Sequence, residues 1–267
     1  MNSPRRKGML ALAYLASCAL LVISCASTGP EYLRRDPLRA RAGEIGKSVE
    51  GRPLRVLVLG KGPEVVLIMA TIHGNENAGT PLIQKLVEFI DRHPDVLQNR
   101  TVVLMPVVNP DGYFHDQRFN MHRVDLNRNF PASNRDEWRT SSGPIPLSEP
   151  ESLAIKQVLD RFHPNRIVSM HEPLTTIDWD GPGADIARHM GKFANLPVRQ
   201  IGSRPGSLGS YAGGELKIPI VTLEFPKGSG ARDEDDLWRD YGRVLLSFVT
   251  YPNDPPAAVS GKDLLRK

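Results

Sequence analysis

Short apolar runs alternate along the chain with polar turns and with segments in which apolar residues recur at helical spacing. The clearest run, Glu64–Ala70, has the sequence EVVLIMA and is typical of a strand buried on both faces of a sheet. A polar turn follows it, and apolar residues then repeat at helical spacing across residues 78–90. This order of strand, turn and helix predicts one unit of an open α/β sheet.

The same order recurs in the rest of the chain. Further strands are predicted at residues 54–59, 100–108, 166–170 and 218–223, and further helices at residues 150–162, 184–193 and 233–249. Ser148 is the predicted N-cap of the helix that starts at Pro150. We therefore predict an α/β fold, a three-layer sandwich with a mixed, largely parallel central sheet.

Polar residues stand at the end of each buried strand from residue 64 onward. They are His73 and Glu76, Asn109 and Asp111, His171 and Glu172, and Glu224. Because the carboxyl ends of parallel strands meet at one edge of a sheet, we expect these side chains to lie close together. Residues 113–147, a long stretch without periodicity that is rich in Arg, Asn and Asp, are interpreted as a functional loop beside them.

Composition limits the classes of function that the chain can have. With 267 residues, 40% of them hydrophobic and 24% charged, it fits one globular domain with appendages. The formal net charge is +4, and three of the positive charges, Arg5, Arg6 and Lys7, lie in a segment that we expect to be removed. The other basic residues are scattered rather than clustered, so we expect no nucleic-acid partner.

The N-terminus resembles a bacterial lipoprotein signal. A positive segment is followed by an apolar one at residues 9–23, too short for a confident membrane span, and then by Cys25. We predict a signal peptide at 1–24, lipidation of Cys25, a tether at 25–46, a folded domain at 47–250 and a flexible tail at 251–267. Lipidation at Cys18, an uncleaved anchor and a plain secretory signal remain alternatives. A lipid anchor on Cys25 would hold the protein to a membrane of the cell envelope.

The folded part must carry out its chemistry without cysteine, because the only two cysteines lie in this N-terminal segment. A hydrolytic zinc ion needs three protein ligands and an open position for water. His73, Glu76 and the more distant His171 supply two nitrogens and one oxygen, and Glu224 is the candidate base. A lone histidine three residues before a glutamate is common in ordinary turns. The prediction of a zinc site therefore depends on His73 and Glu76 occurring together with His171 and Glu224.

Five motifs in order resemble those of the M14 family of zinc carboxypeptidases. They are HGNE at 73–76, NPDG at 109–112, VDLNRNF at 124–130, His171, and TLEF at 222–225, within a resemblance that covers residues 44–250. The resemblance implies a zinc peptidase domain with the fold of that family. It also implies one zinc ion bound by His73, Glu76 and His171, with Glu224 as the catalytic base.

The resemblance implies roles for four further residues. Asn127 and Arg128 match the pair that binds the terminal carboxylate of the substrate, a task suited to a planar guanidinium. Arg118 matches the arginine that stabilises the oxyanion, although its spacing to Asn127 is shorter than in the digestive enzymes. Asp125 matches the carboxylate that orients a zinc-binding histidine.

One branch of the family is favoured by the segments around the last strand. GSLGSY at 206–211, IPIVTLEFP at 218–226 and HEP at 171–173 are similar to the murein peptide amidases, which cleave the bond between γ-D-glutamate and diaminopimelate in cell-wall peptides. A murein peptide is therefore the expected partner. Asp178 and Asp180, in a predicted loop, would suit the distal ammonium of diaminopimelate, although two acids in a loop are also typical of plain surface.

Two other functions are compatible with these residues. N-acyl amino acid deacylases of the aspartoacylase and succinylglutamate desuccinylase type share the Gly-Asn-Glu zinc motif, but they are typically cytosolic, which the N-terminal signal contradicts. A non-catalytic peptidoglycan-binding module would not need the complete set of ligands and base that this chain retains.

Overall fold

The computed structural model describes residues 40–256, so Cys25 and the predicted signal peptide lie outside the described residues. The strands are β1 (Ala40–Lys47), β2 (Pro53–Gly60), β3 (Glu64–Ala70), β4 (Arg100–Met105), β5 (Arg166–His171), β6 (Leu174–Asp180) and β7 (Ile220–Pro226). The α-helices are α1 (Gly79–Arg92), α2 (Pro110–Phe114), α3 (Pro150–Phe162), α4 (Ala184–Gly191) and α5 (Glu234–Thr250). A short π-helical segment, Gly209–Glu215, precedes β7.

The seven strands form one mixed sheet in the order β1-β2-β4-β3-β5-β7-β6. The central strands β4, β3, β5 and β7 run parallel to one another. At the two sides, β1, β2 and β6 are paired antiparallel. The predicted sandwich with a mixed, largely parallel sheet is confirmed.

Helices cover both faces of this sheet. Val66 and Ile68 of β3 pack in one core with α1, α4 and α5. Leu67 and Met69, which alternate with them, pack in a second core with α3 and the segment 126–132. Successive residues of a strand point to opposite faces, so a strand covered on both faces needs apolar residues throughout. This is why β3 is an uninterrupted apolar run.

The N-caps of two helices, α5 and α3, differ in whether a side chain caps the helix. Asp233 caps α5, because its carboxylate accepts the backbone N–H of Asp235 at 2.9 Å and of Asp236 at 3.3 Å. The N-cap of α3 is the extended residue Glu149, and the hydroxyl of Ser148 donates to the Glu149 carboxylate instead of capping the helix. The predicted Ser148 cap is therefore wrong.

Between residues 40 and 256, no helix combines the length and the apolar character needed to cross a bilayer.

Folded structure extends beyond both predicted limits of the domain. Residues 40–46, assigned to the tether from sequence, belong to β1 and pair with β2. As an edge strand, β1 is paired on one side only and has a weak apolar pattern. Tyr251, the first residue of the predicted tail, packs its ring 5.3 Å from that of His189. Its carbonyl accepts a hydrogen bond from Arg166 at 3.4 Å.

Strand β6 is an element that the sequence analysis missed. Thr176, Asp178 and Asp180 lie on one face of it, whereas Ile177 and Trp179 pack toward the core on the other. This alternation of polar and apolar residues is the signal of a half-buried strand. The two acids therefore lie on a paired strand, and the prediction that they belong to a loop is wrong.

Candidate metal centre and active site

The turn after β3 brings its polar residues close to the rest of the sheet edge. Gly74 lies against the backbone of Gly112, where a Cβ atom would come within 2.0 Å of the Gly112 carbonyl carbon. Only glycine permits this approach. As a result His73 and Glu76, although they lie in a turn, are both buried.

His171 reaches the same place from the end of β5. Parallel pairing sets it opposite Glu224 of β7. Its Nδ1 lies 3.0 Å from Oε2 of Glu76 and 3.3 Å from Nδ1 of His73. His73 Nδ1 lies 2.9 Å from the same Glu76 oxygen. The ligand atoms of the three residues all lie within 4.8 Å of one another.

The second nitrogen of each histidine has a partner that fixes the ring. His73 Nε2 lies 3.0 Å from Oδ1 of Asp125, and His171 Nε2 lies 3.0 Å from the hydroxyl of Ser169. Such contacts leave both Nδ1 atoms facing the common centre. Asp125 thus has the orienting position that the resemblance implied. The sequence analysis missed Ser169, although its position two residues before His171 on the same strand face is a usable signal.

The carboxylates of this centre are held in the ionised form. Burial would raise the pKa of Glu76, but hydrogen bonds with His171 and His73 hold it well below its usual range. Asp125 behaves in the same way: burial would raise its pKa, but the contact with His73 and the charges of Arg118 and Arg128 together lower it. For His73, burial acts to lower the pKa, and contacts with Asp125 and Glu76 raise it overall.

The donor set fits a zinc ion. Two imidazole nitrogens and one carboxylate oxygen, all buried and all directed at one point, are the ligands of a hydrolytic zinc site with a fourth position left for water. The centre borders a cavity of about 240 Å³ that gives a substrate access to it.

Glu224 lies in the wall of this cavity beside His171. Its Oε2 accepts the backbone N–H of Leu174 at 3.2 Å, which fixes the side chain. Burial raises the pKa of Glu224, and the nearby His171 offsets part of that rise. A carboxyl group with a raised pKa beside a metal centre has the properties of a general base.

Two arginines reach the cavity from the long loop that the sequence analysis interpreted as functional. Arg118 donates to the carboxylate of Glu76 and, at 3.5 Å, to that of Asp125. Arg128 is partly buried, and its Nε has no hydrogen-bond partner within residues 40–256. Burial lowers the pKa of Arg128, and the other arginines around it act in the same direction. Asn127 accepts the backbone N–H of Leu208 at 2.9 Å, which fixes its amide at the cavity wall.

Acids from β6 line the other part of the cavity. Asp178 accepts the backbone N–H of Ile201 at 2.7 Å. Burial and the neighbouring Asp178 raise the pKa of Asp180 to about 6. Within residues 40–256, no basic side chain forms a salt bridge with either carboxylate. Arg128 donates a hydrogen bond to the carbonyl of Asn127 and forms no salt bridge within residues 40–256. The cavity therefore has a guanidinium and a pair of acids whose charges have no ionic partner in the described part of the chain.

Glu172 connects three segments around the metal centre. One of its oxygens accepts the N–H of Ala78 at 3.4 Å, and the other accepts those of Gly228 and Ser229, both at 3.1 Å. Its own N–H donates to Glu76 at 3.2 Å. From sequence, Glu172 was expected at the polar edge of the sheet but had no assigned role, because bonds to backbone groups so distant in sequence leave no local signal.

Comparison with known proteins identifies the family. The zinc carboxypeptidase family matches residues 31–177, more than half of the chain. The chain belongs to the zinc carboxypeptidase family. It is 33% identical to murein peptide amidase A of Escherichia coli K12 over 199 residues, which are 68% of this chain and 79% of that protein. Identity to murein peptide amidase A of Vibrio campbellii is 31% over 203 residues, with 68% and 77% of the two chains covered.

Solved structures agree with the architecture of this zinc carboxypeptidase. The murein-tripeptide amidase MpaA of Escherichia coli O157 has a TM-score of 0.60 and 26% identity, covering 80% of this chain and 98% of that one. Bovine thrombin-activatable fibrinolysis inhibitor has a TM-score of 0.69 at 22% identity, covering 82% and 91% of the two chains, and shares the fold. The protein is therefore a zinc-dependent hydrolase, and the three-layer fold expected from its motifs is confirmed. Membership of the zinc carboxypeptidase family favours hydrolysis over the alternative of a non-catalytic peptidoglycan-binding module.

Proposed function

We propose that this enzyme hydrolyses the amide bond between the γ-carboxyl group of D-glutamate and diaminopimelate in murein peptides. Murein peptide amidases are among its relatives at 31–33% identity. The charge of the cavity carries the choice of substrate. Arg128 supplies an unpaired cation there, and Asp178 and Asp180 supply acids without a basic partner in the described part of the chain. A diaminopimelate leaving residue brings the carboxylate and the distal ammonium that complement both.

The bond-breaking step depends on zinc and on Glu224. His73, Glu76 and His171 would hold the zinc ion, which would supply a water molecule of lowered pKa and polarise the scissile carbonyl. Glu224 accepts a proton from the attacking water, and the new carbon–oxygen bond forms. Glu224 then delivers that proton to the leaving nitrogen, the carbon–nitrogen bond breaks, and an amine departs. Its raised pKa suits a group that must both take and release a proton.

Two arginines stabilise charge on the substrate. Arg118 uses part of its guanidinium on Glu76 and Asp125 and retains N–H donors for the oxygen that becomes negative in the tetrahedral intermediate. Arg128, with the amide of Asn127, binds the carboxylate of the leaving residue. This contact fixes the scissile bond at a set distance from the metal centre.

The acids of β6 select the side chain of the leaving residue. Asp178 and Asp180 lie on the cavity face of β6, which pairs with β7 and therefore lies beside Glu224. An apolar side chain would leave two buried carboxylates without a counter-charge, whereas an ammonium would form charge-assisted hydrogen bonds with them. Diaminopimelate is therefore expected to be released faster than leucine from the same position.

The test compares products from two peptides. The soluble domain is loaded with zinc and given L-Ala-γ-D-Glu-diaminopimelate and, separately, a peptide that ends in leucine, and products are identified by mass spectrometry. Release of diaminopimelate alone supports the proposal. Release of leucine alone would assign the enzyme to the general carboxypeptidases. No release from either peptide, with zinc bound, would contradict the proposal and favour an N-acyl amino acid deacylase, which an acyl amino acid substrate would then test.

We also propose that the protein is anchored in the cell envelope through a lipid on Cys25. Support comes from the sequence alone, since a positive and then apolar segment ends at this cysteine. Labelling with a fatty-acid analogue should give a modified protein that Cys25→Ala abolishes and Cys18→Ala does not. Loss of label with Cys18→Ala alone would move the lipid to the other cysteine.

A further inference from the structure

A second cavity meets the metal centre on the side away from Arg128. It has a volume of about 460 Å³, and it shares Glu76, Arg118 and Glu172 with the first cavity. Neither Arg128 nor the acids of β6 line it. Most of its other walls come from the turn after β3 and the turn after β7, and Asp116 and Pro173 complete them. The metal centre therefore opens into two spaces with different linings.

The second cavity is placed to receive the acyl half of the substrate. If the leaving residue occupies the first cavity, which is the proposed function on which this inference rests, the residue that supplies the scissile carbonyl must extend in the other direction. In a γ-linked glutamyl residue, two methylene groups separate that carbonyl from a carbon atom that bears a free carboxylate. An α-linked peptide carries a charge at this place only where the residue itself is acidic. A cation in the second cavity would thus distinguish a γ-linked glutamyl residue from a neutral α-linked residue.

Lys227 is the cation available there. It lies one residue beyond β7, it is exposed, and it lines the second cavity. Within residues 40–256 no carboxylate lies within salt-bridge distance of it. Arg118, the other cation of this cavity, is already paired with Glu76 and Asp125. Asp116, an exposed acid at the same cavity, repels a carboxylate, so an anion is expected near Lys227 rather than near Asp116.

The turn that carries Lys227 is fixed before substrate arrives. The next two residues, Gly228 and Ser229, both donate their backbone N–H groups to Glu172 at 3.1 Å. Gly230 packs so closely on Asn77 that a Cβ atom would lie 2.1 Å from the Asn77 side-chain oxygen. Only the flexible part of the lysine side chain must therefore become ordered when it binds an anion.

We infer that Lys227 binds the free carboxylate of a γ-linked glutamyl residue and makes the enzyme selective for acyl groups that carry this charge. The prediction concerns recognition and not bond breaking. Neutralising the substrate carboxylate and removing the lysine ammonium should therefore have equivalent and non-additive effects.

The experiment uses the zinc-loaded enzyme and two matched peptides. One is L-Ala-γ-D-Glu-diaminopimelate, and the other carries a carboxamide in place of the glutamyl carboxylate. Wild-type enzyme is expected to prefer the free carboxylate by about tenfold in kcat/KM. Lys227→Met should lower kcat/KM about tenfold on the peptide with the free carboxylate and leave kcat/KM on the carboxamide peptide unchanged. Lys227→Arg should restore much of the preference for the carboxylate. Lys192→Met, at an exposed lysine after α4 that lines neither cavity, is the control.

Each outcome decides the inference. Equal wild-type rates on the two peptides, or an equal loss on both in Lys227→Met, would overturn the role of Lys227 and leave the proposed function in place. Cleavage of neither peptide by wild-type enzyme that contains zinc would overturn the proposed function and this inference with it. If wild-type enzyme prefers the carboxylate, and Lys227→Met removes this preference while Lys192→Met retains it, the result supports the proposed function and the role of Lys227.

Discussion

Two pairs of buried acids lie at the active site, and they differ in what surrounds them. Glu76 and Asp125 contact the two histidines and Arg118, and these contacts hold their pKa values down in spite of burial. Asp180 has Asp178 as its charged neighbour, and burial together with that neighbour raises its pKa to about 6. Burial acts in the same direction on Glu76, Asp125 and Asp180. The partners, and not the depth, decide which carboxylates are stably ionised.

The difference divides the site into two parts with separate tasks. Charges around Glu76 and Asp125 are balanced by side chains of the protein, as a centre that positions a metal requires. The charge of Asp178 and Asp180 has no such balance in the described part of the chain. A cationic group on a ligand would supply it. We therefore assign chemistry to the first pair and selection of the substrate to the second.

The largest expected effect separates chemistry from metal binding. Glu224→Gln should lower kcat by about 10²–10⁴-fold, because the amide cannot take the proton of the attacking water. The zinc content after dialysis should stay at the wild-type level, since Glu224 is not among the three grouped ligands. Glu88→Gln, at an exposed glutamate of α1, is the matched control and should keep full activity. Near-normal turnover in Glu224→Gln would show that another residue is the base.

A smaller effect should distinguish the two acid pairs directly. Asp125→Asn removes the ionised partner of His73 and should weaken zinc binding by about 10–100-fold. Competition with a coloured chelator measures this without any substrate. The equivalent change in the second pair, Asp178→Asn, should leave zinc affinity unchanged. Equal weakening in the two variants would remove the distinction between the pairs.

The smallest effect is a dependence of stability on pH. Because folding raises the pKa of Asp180 from 3.8 to about 6, its ionisation penalises the folded state, and stability falls as pH rises through this interval. Asp180→Asn has no such penalty. The variant should be about 1–2 kcal/mol more stable than wild type near pH 7 and about equally stable near pH 4.

Urea unfolding of the metal-free protein at the two pH values measures this difference. Asp185→Asn, at an exposed acid of α4, should show no comparable dependence. A variant of Asp180 that is less stable than wild type near neutral pH would mean that its carboxylate is already compensated within the protein.

Sequence determined the elements and residues whose signals are local. The apolar run of β3 and the periodicity of α1 follow directly from the pattern of side chains, because burial on one or two faces imposes that pattern. The motif residues His73, Glu76, His171 and Glu224 could be singled out because each stands where a predicted strand ends. Their assembly at one edge followed from the expectation of parallel strands.

Tertiary structure decided what depends on contacts between distant segments. Hydrogen bonds of Glu172 to Ala78 and to the turn after β7 join elements whose spacing in sequence carries no period. The place of Asp178 and Asp180 on a strand beside Glu224, and of Lys227 at a second cavity, arises from pairing and loop geometry. The sequence shows which charges exist, whereas only the folded chain shows which of them lack a partner, because compensation depends on distance in space.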